Sequence, residues 1–181
     1  EHSIVQTRSI STMLLLGLAA LAGSVGQPVE ATLHRVPDAA RAVLAATRPL
    51  AEQFGSDPGI GRFFFLGSGP WRGVASEAML KIKEMSHAQS EAFHTLEFRH
   101  GLGANADDRT LVTGFLSSRA ANAEQAVLYE FQTEQGVTAL AVGAGAPLNG
   151  GSLLTLTLPL GLPEWARLPL AMPFAQIMGV A

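Results

Sequence analysis

The chain has 181 residues, 48% hydrophobic and 15% charged, apolar material for one large core and too much for a disordered or fibrous protein. Its 12 Lys+Arg against 15 Asp+Glu give a formal charge of −3, so no basic excess exists to neutralise phosphates and nucleic acid is not an expected partner. Cysteine is absent, which excludes disulfides, thiolate metal sites and cysteine nucleophiles within the chain and suits a reducing, cytoplasmic setting.

Near the start, Arg8 and the apolar run Met13–Ala22, followed by Gly23-Ser24, resemble a secretory signal. The run lies well inside a chain that opens on Glu1, and it is too short for a bilayer, which needs about 20 apolar residues. The reading is therefore a buried helix, capped by Ser11 or Thr12, and no membrane partner. A second helix is predicted from Pro37 to Phe54, with proline in its first turn and Asp38 favouring the positive end of the dipole. Gly55-Ser56-Asp57-Pro58-Gly59 breaks the pattern and marks a boundary.

Arg62–Leu66 reads as a strand, and a helix from Trp71 to Ser86 follows. An extended piece at Glu91–Phe93 precedes a polar helical turn through Glu97 and His100. Thr110–Leu116, Val137–Val142 and Leu153–Leu158 are β-rich, Ala120–Glu134 is helical, and helix resumes after Pro163. Strands that are apolar throughout, alternating with helices, indicate a parallel sheet covered on both faces. The expected class is α/β, a three-layer sandwich around a mostly parallel sheet of about five strands.

Three clusters carry candidate chemistry. Gly67-Ser68-Gly69-Pro70-Trp71-Arg72-Gly73 joins a strand to a helix at the edge where such sheets bind ligands. It fits neither the dinucleotide fingerprint nor a P-loop, and Ser68 is its candidate ligand contact. In Glu77-Ala78-Met79-Leu80-Lys81-Ile82-Lys83-Glu84-Met85, the residues Glu77, Lys81 and Glu84 fall within an arc of roughly 60° on one helix face. Leu80 flanks that arc on one side, and Val74 and Met85 on the other. Two readings stay open: a partly desolvated carboxylate with its pKa raised toward proton transfer, or a solvated face with one Glu–Lys pair. In Glu91–Gly101, His100 stands before a glycine in a loop, as a general acid or base or as a surface residue. The five histidines show no metal-ligand spacing.

Taken together, Phe63-Phe64-Phe65-Leu66-Gly67-Ser68-Gly69, the Glu77–Ser86 run, Glu91-Ala92-Phe93 and Glu97-Phe98-Arg99-His100-Gly101 resemble the second half of a tandem sugar isomerase (SIS) protein. The family includes the isomerase domain of glucosamine-6-phosphate synthase and tagatose-6-phosphate ketose isomerase-like proteins. Gln6–Thr12 resembles the segment that closes the first SIS domain, so the resemblance implies that residues 1–55 are the helical tail and linker of that domain. Residues 56–181 would be the second SIS domain. Leu102 replaces the family's proline after His-Gly, which alters loop stiffness more than chemistry. The Ser/Thr-rich phosphate loop of the family would lie upstream of Glu1, and its C-terminal tail beyond Ala181.

The resemblance implies a phosphosugar aldose–ketose isomerase acting on a hexose or amino-sugar 6-phosphate through an enediol. It makes Glu84 the base that shuttles the proton and His100 the ring-opening histidine, supplied by a neighbouring subunit. Lys81 would hold the carboxylate or a sugar oxygen, and the backbone near Ile4 would touch sugar hydroxyls. The Ala- and Leu-rich surface of the first two helices carries more apolar area than the chain can bury alone, so a homodimer is expected, and no cofactor is expected. A glucosamine-6-phosphate deaminase or sugar-amine deglycase, and a non-catalytic phosphosugar-sensing module, remain alternatives on the same scaffold.

Overall fold

In the computed structural model, residues 5–143 and 153–181 are described. Three helices come first: α1 (Arg8–Ser24), α2 (Val29–Leu33) and α3 (Val36–Gly55). Then β1 (Arg62–Gly67), α4 (Pro70–Ser86), β2 (Gln89–His94), β3 (Thr110–Phe115), α5 (Ala121–Gln135), β4 (Thr138–Gly143), β5 (Leu154–Thr157) and α6 (Glu164–Met178) follow. The strands form one sheet in the order β2-β1-β3-β4-β5, and every pairing is parallel. This is the expected α/β class, with helices on both faces.

The two faces explain why the three central strands, β1, β3 and β4, are buried nearly throughout without alternation. On β1, Phe63 and Phe65 enter a core shared with α3, α4 and α6, whereas Phe64 and Leu66 enter a second core with Val127, Leu128 and Phe131 of α5. Successive side chains point to opposite sides of a strand, so covering both sides requires apolar residues at every position. Phe98, fully buried, anchors the loop after β2 against Phe64, Phe93 and Phe131, with ring centroids 6.0, 5.3 and 4.5 Å away.

Local expectations are corrected in three places. The apolar N-terminal run is not a buried helix: α1 lies on α6 as an outer layer, with only Ala19 and Ala22 buried and Leu16 60% and Leu21 66% exposed. Neither Ser11 nor Thr12 caps it, because the helix already begins at Arg8, with Thr7 at the N-cap and no side-chain cap bond. The segment through Glu97 and His100 is a series of hydrogen-bonded turns, including Phe98 N–H to His94 O at 3.1 Å and His100 N–H to Glu97 O at 2.9 Å. A 3-10 turn at Leu102–Asn105 follows. The short α2 carries too few residues to show a helical period in the sequence.

Candidate active site

The charged face of α4 is solvated only in part. Lys81 is 3% exposed, and its Nζ lies 2.8 Å from Glu84 Oε2 and 3.1 Å from Glu77 Oε1. Burial alone would lower the pKa of this ammonium. Its hydrogen bonds to Glu84 and Glu77, and their negative charges, outweigh that and hold it above the ordinary lysine value. Glu84 thus has an ammonium as its nearest partner rather than a purely apolar wall, and its side chain keeps 34% exposure. One oxygen is anchored while the carboxylate still faces outward.

Several contacts fix this end of α4. Ser90 of β2 donates its hydroxyl to Met79 O at 2.8 Å, and the helix ends on His87 in a left-handed conformation with φ 57°. The end of α6 closes over Lys81: a side chain at Gly179 would come within 3.2 Å of Lys81 O and 3.1 Å of Met85 Cβ. One turn earlier, Gln176 Nε2 donates to Thr7 O at 3.2 Å and to Ser11 Oγ at 3.3 Å. The N-terminal turn of α1 is therefore tied beside the triad. Ile4, the expected backbone contact, lies outside the described residues.

The remaining expected residues stand elsewhere. His100 is exposed in the turns after β2, next to Arg99, whose guanidinium lies 2.5 Å from Glu130 of α5. Glu84 stands on α4, and no hydrogen bond or ion pair joins it to His100 among the described residues. Ser68 lies at the start of α4, and fourteen residues of rise from Pro70 to Glu84 amount to about 21 Å. Ser68 and Glu84 therefore belong to different ends of the helix.

Ser68 instead borders a cleft of about 460 Å³ with Gly69, Pro70, Ser117, Arg119, Ala120 and Glu164. It opens at the carboxyl ends of β1 and β3, where the strand order reverses, the usual ligand position in such sheets. Gly69, with φ 55° and ψ −131°, takes a backbone conformation favouring glycine. A Cβ on Gly67 would fall 2.3 Å from Trp71 O, so strand and helix approach as closely as they do only with glycine there. Glu164 Oε1 accepts from Trp71 Nε1 at 2.6 Å and from Ser118 N–H at 2.9 Å. Burial pushes its pKa up, but these donors and the Arg167 charge outweigh burial and leave it below the ordinary carboxylate value. The sequence reading missed Ser117, Arg119 and Glu164. The strand–turn–helix logic applied at Gly67–Pro70 holds equally for Ser117-Ser118-Arg119, between β3 and α5.

A five-stranded parallel sheet with a Gly-rich β1–α4 turn and an ion-paired Glu–Lys–Glu face on α4 fits the sugar isomerase type of domain that the sequence resembles. No family model matches the chain, but its sequence relatives and structural neighbours agree on this class. It is similar to the D-galactosamine-6-phosphate deaminase AgaS of Escherichia coli, 35% identical over 121 residues, which are 65% of this chain and 31% of that protein. It is also similar to the isomerizing glutamine–fructose-6-phosphate aminotransferase of Halobacterium salinarum, 30% identical over 129 residues, 67% of this chain and 22% of that protein. The tagatose-6-phosphate ketose/aldose isomerase structure from Escherichia coli superposes with a TM-score of 0.83 at 24% identity, over 98% of this chain and 49% of that one. The glucosamine-6-phosphate deaminase structure from Thermotoga maritima gives 0.72 at 26% identity, over 99% and 52%. The chain belongs to the sugar isomerase (SIS) domain family. It spans about a third or less of the length of these curated relatives.

Proposed function

We propose that the chain is the second SIS domain of a phosphosugar aldose–ketose isomerase acting on a hexose or amino-sugar 6-phosphate, with residues 1–55 the tail of a preceding domain. The observation that carries this reading is the Glu84 carboxylate, anchored at one oxygen by a buried lysine and partly open to solvent. Isomerisation removes a proton beside the carbonyl, forms an enediol and returns the proton to the neighbouring carbon. A carboxylate fixed at one oxygen can carry that proton on the other without losing its position. Lys81 acts as a positioning residue through Glu84. His100 serves ring opening from the neighbouring subunit of a homodimer, a role suited to its exposed place in the turns after β2. The setting is cytoplasmic, where phosphosugars are made and used.

A deaminase is the second reading, favoured by the likeness to the galactosamine-6-phosphate deaminase; it draws on the same proton shuttle and differs in the fate of the C2 nitrogen. The test is Glu84→Gln in the intact protein. Solvent-deuterium exchange at C2 of the sugar should fall by about 10²–10⁴, with phosphosugar affinity within a few-fold of wild type. Exchange at the wild-type rate removes Glu84 from this role.

A further inference from the structure

We propose that Gln176 is a positioning residue for the candidate active site. It fastens the first turn of α1 as a wall beside the Glu77–Lys81–Glu84 cluster, and affinity for the sugar depends on that wall. This role rests on the isomerase reading and extends it to a residue of α6.

The start of α1 lacks the usual local stabilisers. Thr7 at the N-cap makes no side-chain cap bond, and no acidic residue occupies the first turn, so neither the free N–H groups nor the dipole is compensated there by such groups. Gln176, on the last turn of α6, supplies a tie from outside. Its Nε2 donates to Thr7 O at 3.2 Å and to Ser11 Oγ at 3.3 Å. The Ser11 hydroxyl donates in turn to Thr7 O at 3.2 Å, which closes a ring of three hydrogen bonds.

Two further observations put the fastened turn at the candidate site. Ile10, in that turn, and Glu77 line one groove of about 270 Å³, with Leu168 and Met172 of α6 also in its lining. On the α4 side of the groove, a Cβ placed on Gly73 would meet nothing within 4 Å, so at this point α4 offers α1 no side chain to rest on. Glu77 is also held by the same ammonium as Glu84, at 3.1 and 2.8 Å from Lys81 Nζ. A sugar whose C2 lies at Glu84 therefore has the Glu77 end of the groove, and the start of α1, beside it.

A wall that is loose must be set in place whenever ligand binds, and the apparent affinity falls by the fraction of time it is in place. Proton transfer at Glu84 is set by Lys81 instead, so the loss should fall on affinity. The probes are glucosamine 6-phosphate and galactosamine 6-phosphate, titrated into the intact protein, with solvent-deuterium exchange at C2 followed at saturation. Gln176→Met keeps the length of the side chain and removes both donors. For whichever probe wild type binds more tightly, affinity should fall about three- to tenfold, and exchange at saturation should fall far less. Ser11→Ala should show part of the same loss, and the double variant no more than Gln176→Met alone, because both act through one ring.

A lower thermal melt in Gln176→Met with unchanged affinity of the folded protein would overturn the proposal. So would additive losses in the double variant, a fall in saturated exchange at unchanged affinity, or no binding of either probe by wild type. Wild-type exchange in Glu84→Gln would sink the isomerase reading itself. Exchange lost in Glu84→Gln but affinity kept in Gln176→Met would remove the role of Gln176 alone.

Discussion

Trp71 and Glu164, 93 positions apart in the sequence, are joined by a 2.6 Å hydrogen bond from the indole N–H to the carboxylate. Trp71 is itself buried and stacks on Phe115 of β3, with ring planes 7° apart. The bond ties the first turn of α4 to the first turn of α6, and through the Ser118 N–H it also holds the loop after β3.

Glu164→Gln should therefore lower stability by about 1–3 kcal/mol, the usual range for losing charge-assisted hydrogen bonds. The pH dependence has a defined sign. Glu164 has a folded-state pKa below its ordinary 4.5, so its contribution is present above that value and is lost as pH falls through the folded pKa. Urea unfolding of wild type and variant should converge as pH drops below about 4.5. A gap that persists unchanged into strong acid would show that the charge is not what matters.

Lys81→Met should destabilise the chain by about 1–3 kcal/mol at neutral pH, because it leaves Glu77 and Glu84 facing each other without their shared cation. The sign here is the opposite one. The Lys81 pKa is raised above 10.5, so its contribution is full below that value and disappears as pH rises through the folded pKa. The difference in unfolding free energy between wild type and variant, measured from pH 8 to 11.5, should shrink only at the alkaline end. A difference that is flat across that range counts against the ion pair as its source.

His100→Asn, on the isomerase reading, should slow turnover of a closed-ring phosphosugar far more than that of an analogue unable to cyclise. Ring opening moves one proton off the anomeric hydroxyl and another onto the ring oxygen, and asparagine keeps hydrogen bonding without titrating. Equal losses on both substrates would leave His100 only a structural part of the turns after β2.

Exposed apolar residues on α1 lead to a prediction about assembly. No charged residue occurs between Arg8 and Glu30, and Met13, Leu16 and Leu21 are 54%, 60% and 66% exposed, so the outer face of this helix favours burial against another surface. Leu16→Glu should shift sedimentation of the intact protein from dimer toward monomer at micromolar concentration. A wild-type protein that is already monomeric there would exclude the homodimer.

The strands and most helices were legible because their signals are local. In the central strands, apolar runs too short for a helix, such as Phe63–Leu66, fit strands covered on both faces, whereas the edge strands β2 and β5 carry polar residues and weaker signals. The motif on α4 was legible as a spacing, but the depth of Lys81 was not, since it depends on Gly179 and α6 closing over it from about a hundred residues away. The same holds for α1: its composition announces burial, while its place as the outermost layer is set by α6. The cleft residues Arg119 and Glu164 escaped notice because each is an ordinary charged residue until the sheet brings three helix starts to one edge.

α4 runs from its first-turn proline to Ser86 as one helix of 17 residues, about 25 Å long. The Ser68–Gly69 cleft meets one end, and the Glu77–Lys81–Glu84 cluster occupies the other half. With no proline past its first turn the helix is uninterrupted, and a uniform helix transmits a tilt at one end to the other. A tilt of about 1° at the cleft would carry the far end through about 0.4 Å, and displacements approaching 1 Å at a reacting group cost about a hundredfold in rate. On the isomerase reading, rotations too small to alter the appearance of the fold would therefore be enough to set how fast Glu84 moves its proton.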